Sequence, residues 1–272
     1  MHLSKIKAVT LGLAFSAMGA MGAHAADVSS DSDVAAPGKQ YVLDLGVGVE
    51  LKPKYPGADE YIVFPFPLVG VGRFYVPGLG GVVDEDKPRR GFYFFPDFDF
   101  NGERKASDSN DLTGTDKVDW AVEVGAGIGY RYDWILGFAS IRQGFNGHKG
   151  QVATFGMDFL ADPTDRINIA IGPRASWASK DYMRTYFGVT AAEAAAPGSV
   201  LTPYSPGSGF KTVGAALRAS YDWTDKTTFH LRGRWDRFIG DADDSPIVKV
   251  GSENQFTIGV GVSYRFAFDV FE

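Results

Sequence analysis

The sequence has no cysteine, which excludes disulfides, thiolate metal sites and a cysteine nucleophile. Histidine is scarce: of four residues, His2 and His24 fall in the first 25 positions, leaving His148 and His230 for the rest. A zinc site built on histidine is therefore not expected. Positive charge is not in excess, since 27 basic residues face 33 acidic ones for a net charge of −6. That argues against a general nucleic-acid binder, which needs a basic face to release counterions. No apolar run reaches the roughly 18 residues of a spanning helix. What the chain does have is glycine, 34 residues, and 14% aromatic within 44% hydrophobic content. Such a composition is too apolar for disorder.

The first 25 residues read as a signal peptide. Lys5 and Lys7 give a basic start, Ala8 to Met21 a small-residue apolar stretch, and Ala23-His24-Ala25 an A-x-A cleavage pattern. The apolar stretch is too short for an uncleaved anchor, and no cysteine follows for lipid attachment. The mature chain is expected to begin at Ala26. Residues 26–39 then form a flexible lead-in rich in Ser and Asp, and residues 40–272 the folded domain.

That domain alternates with period two. From Trp120, the even positions Val122, Val124, Ala126, Ile128, Tyr130 and Tyr132 are apolar or aromatic, while Glu123, Gly125, Gly127, Gly129 and Arg131 are small or charged. Residues 213–223 and 256–266 repeat the pattern. Sustained alternation signals strands. A soluble sandwich would turn its large apolar side chains inward; a secreted soluble β-protein is the alternative on this count. Here the second face carries Gly, Ala, Ser and Arg, which suits a crowded lumen. Apolar outward, polar or small inward and aromatic at the rims is the signature of a transmembrane antiparallel β-barrel. Closure follows because an open edge in hydrocarbon leaves backbone groups unpaired.

Ten strands are expected, over 40–51, 61–83 (long and bent), 90–101, 119–132, 134–146, 151–161, 166–180, 209–223, 226–239 and 254–266. If 61–83 hides an extra pair and another strand is missed, the count becomes twelve. Connections near Asp133, over 162–165 and over 223–226 are short, whereas 102–118, 181–208 and 240–253 are long. Residues 147–150 are the one short connection on the long side. Both termini then fall on the short-turn, periplasmic side.

A barrel of this size has an interior largely filled by side chains. The register turns Asp44, Glu50, Glu123, Asp158, Asp222 and Asp236 inward, against Arg131, Arg174, Arg218, Arg232, Arg234 and Arg265. Equal numbers predict a neutralised internal network, because unpaired buried charge is costly. His230 lies on the same face as Arg232 and reads as a network member rather than a catalyst. Arg237 falls on the lipid side near the outer rim, where its penalty is small. The expectation is a plugged barrel without a wide pore, with room for at most a narrow polar path.

Several stretches carry a family resemblance. They are Pro53-Lys54-Tyr55-Pro56-Gly57; Gly147-His148-Lys149-Gly150; Tyr182 to Thr190, with Tyr186, Phe187 and Gly188, followed by Tyr204; Arg237 to Val248, containing Asp244-Ser245-Pro246; and Gly261 to Phe266, with Tyr264. On these the chain resembles the MipA/OmpV family of Gram-negative outer-membrane proteins over essentially its mature length. The resemblance implies an outer-membrane barrel in contact with lipid and lipopolysaccharide. The best-known member is regarded as a scaffold joining a lytic transglycosylase to a bifunctional penicillin-binding protein in murein synthesis. Other members are linked to adhesion, osmotic response or antibiotic uptake. No catalytic residue and no cofactor comes with the resemblance. One departure is at the terminus, where Ala267 to Glu272 follow Phe266: either the last strand runs on to Phe271 or a short tail trails it.

The loops add smaller expectations. Thr190-Ala191-Ala192-Glu193 has capping-box spacing, with Pro197-Gly198 as the stop, so a short helix is expected in the 181–208 loop. Asp241, Asp243 and Asp244 supply hard oxygens but lack EF-hand spacing, and Ser245-Pro246 reads as turn chemistry, so no metal is expected. His148, between glycines, reads as a hairpin-turn residue. His230 with nearby carboxylates imitates a base and its orienter, but no G-x-S-x-G elbow is present. The expected function is a non-enzymatic scaffold or interaction protein of the envelope. The alternative is a narrow diffusion channel for small polar solutes or antibiotics.

Overall fold

The computed structural model describes residues 41–76, 80–83 and 90–268. The expected signal peptide and lead-in lie outside them. Eleven antiparallel strands form one sheet: β1 (Tyr41–Pro53), β2 (Tyr61–Val76), β3 (Gly80–Val83), β4 (Arg90–Asn101), β5 (Ala121–Tyr132), β6 (Ile135–Asn146), β7 (Gln151–Thr164), β8 (Ile167–Ala178), β9 (Gly209–Thr224), β10 (Thr227–Phe238) and β11 (Asn254–Phe268). Their order is β3-β2-β1-β11-β10-β9-β8-β7-β6-β5-β4. Ten strands are long. The expected bent strand over 61–83 is instead β2 and its four-residue return β3, paired from Arg73↔Val83 to Val76↔Gly80. β11 runs past Phe266 to Phe268, whose partner is Tyr41 of β1. The first and last strands of the sheet thus pair with each other, and residues 269–272 lie outside the described ones.

The sheet curls back on itself. Among the described residues no ladder joins β2 to β4, but Phe64 and Phe100 from these two strands stack with ring centroids 6.4 Å apart. Curling separates two faces by the period-two rule. Outward lie Val47, 68% exposed, Val63, Phe94, 80% exposed, Val124, Ile171 and Ile258. In water such a continuous apolar belt would be untenable; in acyl chains it is the contact surface. Aromatics rim both edges of the belt. Tyr130, Tyr132, Trp134, Tyr221, Trp223, Tyr264 and Phe266 mark one end, and Tyr61, Trp120, Phe145, Phe210, Trp235 and Phe256 the other.

The two ends differ. Hairpin turns at 133–134, 165–166 and 225–226 close one end, with the β1 and β11 termini beside them. The other end carries the connections 54–60, 102–120, 147–150, 179–208 and 239–253, and among the described residues these hold the α-helices: α1 (Lys180–Phe187), α2 (Ala191–Ala194) and α3 (Pro246–Val250). The apolar core sits there. Tyr182, Met183, Tyr186 and Phe187 pack with Val118, Val152, Phe238 and Val248. Beside them Tyr55, Leu112, Val189, Leu201 and Ile247 form a second cluster. This cap buries whole side chains (Met183, Phe187, Leu112 and Ile247 are 0% exposed), each worth about 1.5–3 kcal/mol.

Candidate functional site

The site is the lumen and the underside of its cap. α1 is the central piece of the cap. Its buried residues fall at 182, 183, 186 and 187, the i, i+1, i+4, i+5 spacing of one helical face. Sequence patterning extended β8 to residue 180 and left 181–187 as loop, so this helix corrects that expectation. Arg104, from the 102–120 loop, secures it. Its guanidinium is buried and donates from Nη1 to the Tyr186 carbonyl at 2.8 Å, where a helix C-terminus favours a cation. Burial holds this guanidinium below the usual arginine range.

The other loops interlock with it. The Ser245 hydroxyl donates to the Phe187 carbonyl at 2.7 Å and accepts from Ile247 N, so Ser245-Pro246, expected as a turn, instead caps α3 with Pro at its first position. Gln255 accepts from Gly57 N at 3.2 Å and donates to the Ala58 carbonyl at 3.1 Å; Gly57 takes φ +95°, which suits glycine. Tyr204 pairs with Val189 and donates its hydroxyl to the Asp241 carbonyl at 2.9 Å. The expected short helix is present as α2, with a reciprocal Thr190–Glu193 capping box. Burial opposes ionisation of Glu193, but the backbone N–H groups of Thr190 and Asp116 hold its carboxyl below the usual carboxylate range. Asp241 accepts from Gly207 N at 2.6 Å and Asp243 pairs with Lys249 at 3.3 Å; these acids lock loops together.

Beneath α1 lies a buried charged cluster. Arg142 on β6 donates from Nη1 to Asp97 at 2.6 Å and from Nε to Glu123 at 2.8 Å, with Asp99 at 3.6 Å. His148 joins it, Nε2 lying 3.2 Å from Glu123. The expectation of a turn residue fails for His148: it is buried, with its ring edge-on to Tyr182 (4.9 Å) and Tyr186 (5.4 Å). The slot exists because position 144 is glycine; a Cβ there would collide with the imidazole. Desolvation raises the phenols of Tyr182 and Tyr186 above the ordinary tyrosine range, with the nearby Glu123 carboxylate adding to the effect.

The rest of the expected network is largely assembled. Asp44 accepts from Arg265 at 3.0 Å, Glu50 from Arg232, Asp236 from Arg234, and Asp158 from both Arg174 and Arg218. His230 meets the Ser263 hydroxyl at 2.8 Å. Two members behave otherwise. Arg131 donates to the Asp133 carbonyl rather than to a carboxylate, and Asp222 accepts from Thr228 at 2.6 Å. Both stand near the turn end, where solvent and the backbone take the place of ion partners. Arg237 pairs with Glu253 at the opposite rim. Sequence reasoning missed Arg142, Asp97, Asp99 and Arg104. Between the inward side chains of the described residues, a cavity of about 630 Å³ runs from Tyr182 and Phe238 under the cap to Asp222 and Arg265 near the turns.

A family model described as MltA-interacting protein MipA matches residues 45–266. The chain belongs to this family. With the outward apolar belt, membership makes it an outer-membrane β-barrel. Of the family-like positions, all but Tyr264 and Phe266 lie at the cap end, from Pro53 closing β1 to Pro246 opening α3. Gly147 and Gly150 leave room for the Asp119 carbonyl and the Tyr182 backbone, and Gly188 ends α1. Asp244 donates its N–H to the Gly240 carbonyl at 3.1 Å. No curated protein sequence matches the chain. Among solved structures it is similar to Neisserial surface protein A (9% identity, TM-score 0.25, 83% of this chain and 97% of that one). It is also similar to the outer membrane protein OprD from Pseudomonas aeruginosa (13%, 0.32, 83% and 65%) and to a Pseudomonas aeruginosa FadL homologue (10%, 0.31, 85% and 90%).

Proposed function

We propose that this barrel is a non-enzymatic scaffold of the envelope, its short-turn end facing the periplasm and holding murein-synthesising and murein-hydrolysing enzymes near the outer membrane. The family's description as MltA-interacting supports a murein enzyme as partner. The observation that carries the reading is the cap: five connections with their own apolar core lie over one mouth of the barrel. A roof of that kind suits a platform and not a wide pore. In this reading residues 1–25 are the signal peptide that directs export and 26–39 the lead-in to the barrel. In vivo cross-linking from the turns at 133–134, 165–166 and 225–226 should recover a lytic transglycosylase or a penicillin-binding protein. Recovery of neither from an envelope in which both are abundant contradicts the scaffold.

The cavity along the lumen favours a second reading, a narrow diffusion channel. Planar-bilayer recording separates the two, because the capped scaffold conducts nothing and a channel gives discrete steps.

A further inference from the structure

The cavity is not electrically uniform. Its β8–β10 wall carries Arg174, Arg218, Arg232 and Arg234, shared among Asp158, Glu50 and Asp236. Arg218 and Arg232 stand directly opposite each other across β9 and β10, a placement that weakens a sheet unless something offsets it. Lys211 lines the same wall. Its ammonium sits 5.2 Å from the centroid of the Tyr182 ring, and among the described residues no carboxylate lies within ion-pair distance of it. The β4–β6 wall has the opposite bias, with Asp97, Asp99 and Glu123 gathered around the single guanidinium of Arg142. Asp99 is the most open of the three at 46%, lying 3.6 Å from Arg142 with its Oδ1 accepting from Phe100 N at 2.8 Å. Arg234 on the basic wall is 42% open.

We propose that the lumen binds a small zwitterion, an amino acid or short peptide, with its carboxylate on Lys211 and Arg234 and its ammonium on Asp99. A plain anion would satisfy one wall and be repelled by the other, and a plain cation the reverse. Only a molecule carrying both charges relieves both. Unbalanced charge in a water-poor chamber interacts strongly, and opposed walls focus that field on whatever enters. A volume of about 630 Å³ falls in the range of small-molecule sites, roughly 300–1,000 Å³. With the cap over one mouth, the solute enters from the turn end, past Asp222 and Arg265. This site is independent of the scaffold reading, which concerns the turns.

The test is titration calorimetry on the purified mature barrel in detergent with glycylglycine, N-acetyl-glycylglycine and glycylglycine amide. Saturable binding of glycylglycine is expected, with both blocked peptides at least about tenfold weaker. Asp99→Asn should weaken glycylglycine at least about tenfold and not weaken the acetylated peptide. Lys211→Met should weaken glycylglycine and leave the amide unchanged. Heat-modifiable gel mobility reports whether each variant is folded; if either is not, the three-peptide comparison on the unaltered protein decides alone. Absence of saturable glycylglycine binding, or equal affinity for all three peptides, overturns the proposal.

Discussion

Arg142 holds three carboxylates together: Asp97, Glu123 and, more loosely, Asp99. Removing one partner of a buried ion cluster leaves uncompensated charge, at about 3–5 kcal/mol. Arg142→Met should therefore lower the temperature at which the barrel loses its folded gel mobility by a large margin. Arg237→Ala, at an exposed rim pair, should leave it essentially unchanged. Equal shifts for the two variants would contradict the assignment. Tyr182 and Tyr186, raised by burial, should remain protonated above the ordinary tyrosine range in an ultraviolet pH titration. Because their folded pKa values are raised, the stability they contribute is fully present below the ordinary tyrosine range and is lost as pH climbs from there through their raised values. Titration of every tyrosine together in the ordinary range would show that α1 is not docked. The inward faces of β5, β9 and β10 were readable from alternation, because their outward positions are apolar and their inward ones small or charged. β4 was not, since Phe92 and Phe94 point out while Tyr93 and Phe95 point in, which hid Asp97 and Asp99. His148 was misread because what buries it, the missing Cβ of Gly144 and the rings of α1, comes from other parts of the chain.

At the scale of elements, the cap is a set of short helices that none of their sequences would hold alone. α2 was legible because Thr190 and Glu193 stand at capping-box spacing and close it in the structure. α1 was not: Tyr182, Tyr186 and Phe187 favour strands by propensity, and helix is imposed by burial against Val118, Val152 and Phe238. Thr190→Ala should cost about 1 kcal/mol, measured as faster proteolysis within residues 179–208. Glu193 adds an acid dependence. Its folded pKa is depressed, so its contribution is present above the ordinary glutamate range and disappears as pH falls through the depressed value. Protease resistance of the loop should decline in that window, and Glu193→Gln should flatten the decline. A pH profile identical in the variant would remove Glu193 from the account of the cap.

Taken whole, the described residues form a curled, membrane-facing sheet with its apolar core displaced to one end. The belt of outward side chains and the ten long strands were legible, as was the loop asymmetry, because period two and turn chemistry are local. The roof and the cavity below it were not, because they depend on loops that meet only after the barrel forms. Deleting residues 180–187 should open the mouth and produce conductance steps that the intact protein lacks; silence in both forms would show that another element closes the lumen. The most direct measurement of the central claim is nitroxide accessibility. Labels at Val47, Val124 and Ile258 in reconstituted protein should relax with dissolved oxygen and ignore an aqueous nickel chelate, while a label at Ser220, on the lumen face, should show the reverse. Outward labels quenched by nickel and shielded from oxygen would contradict the membrane barrel outright.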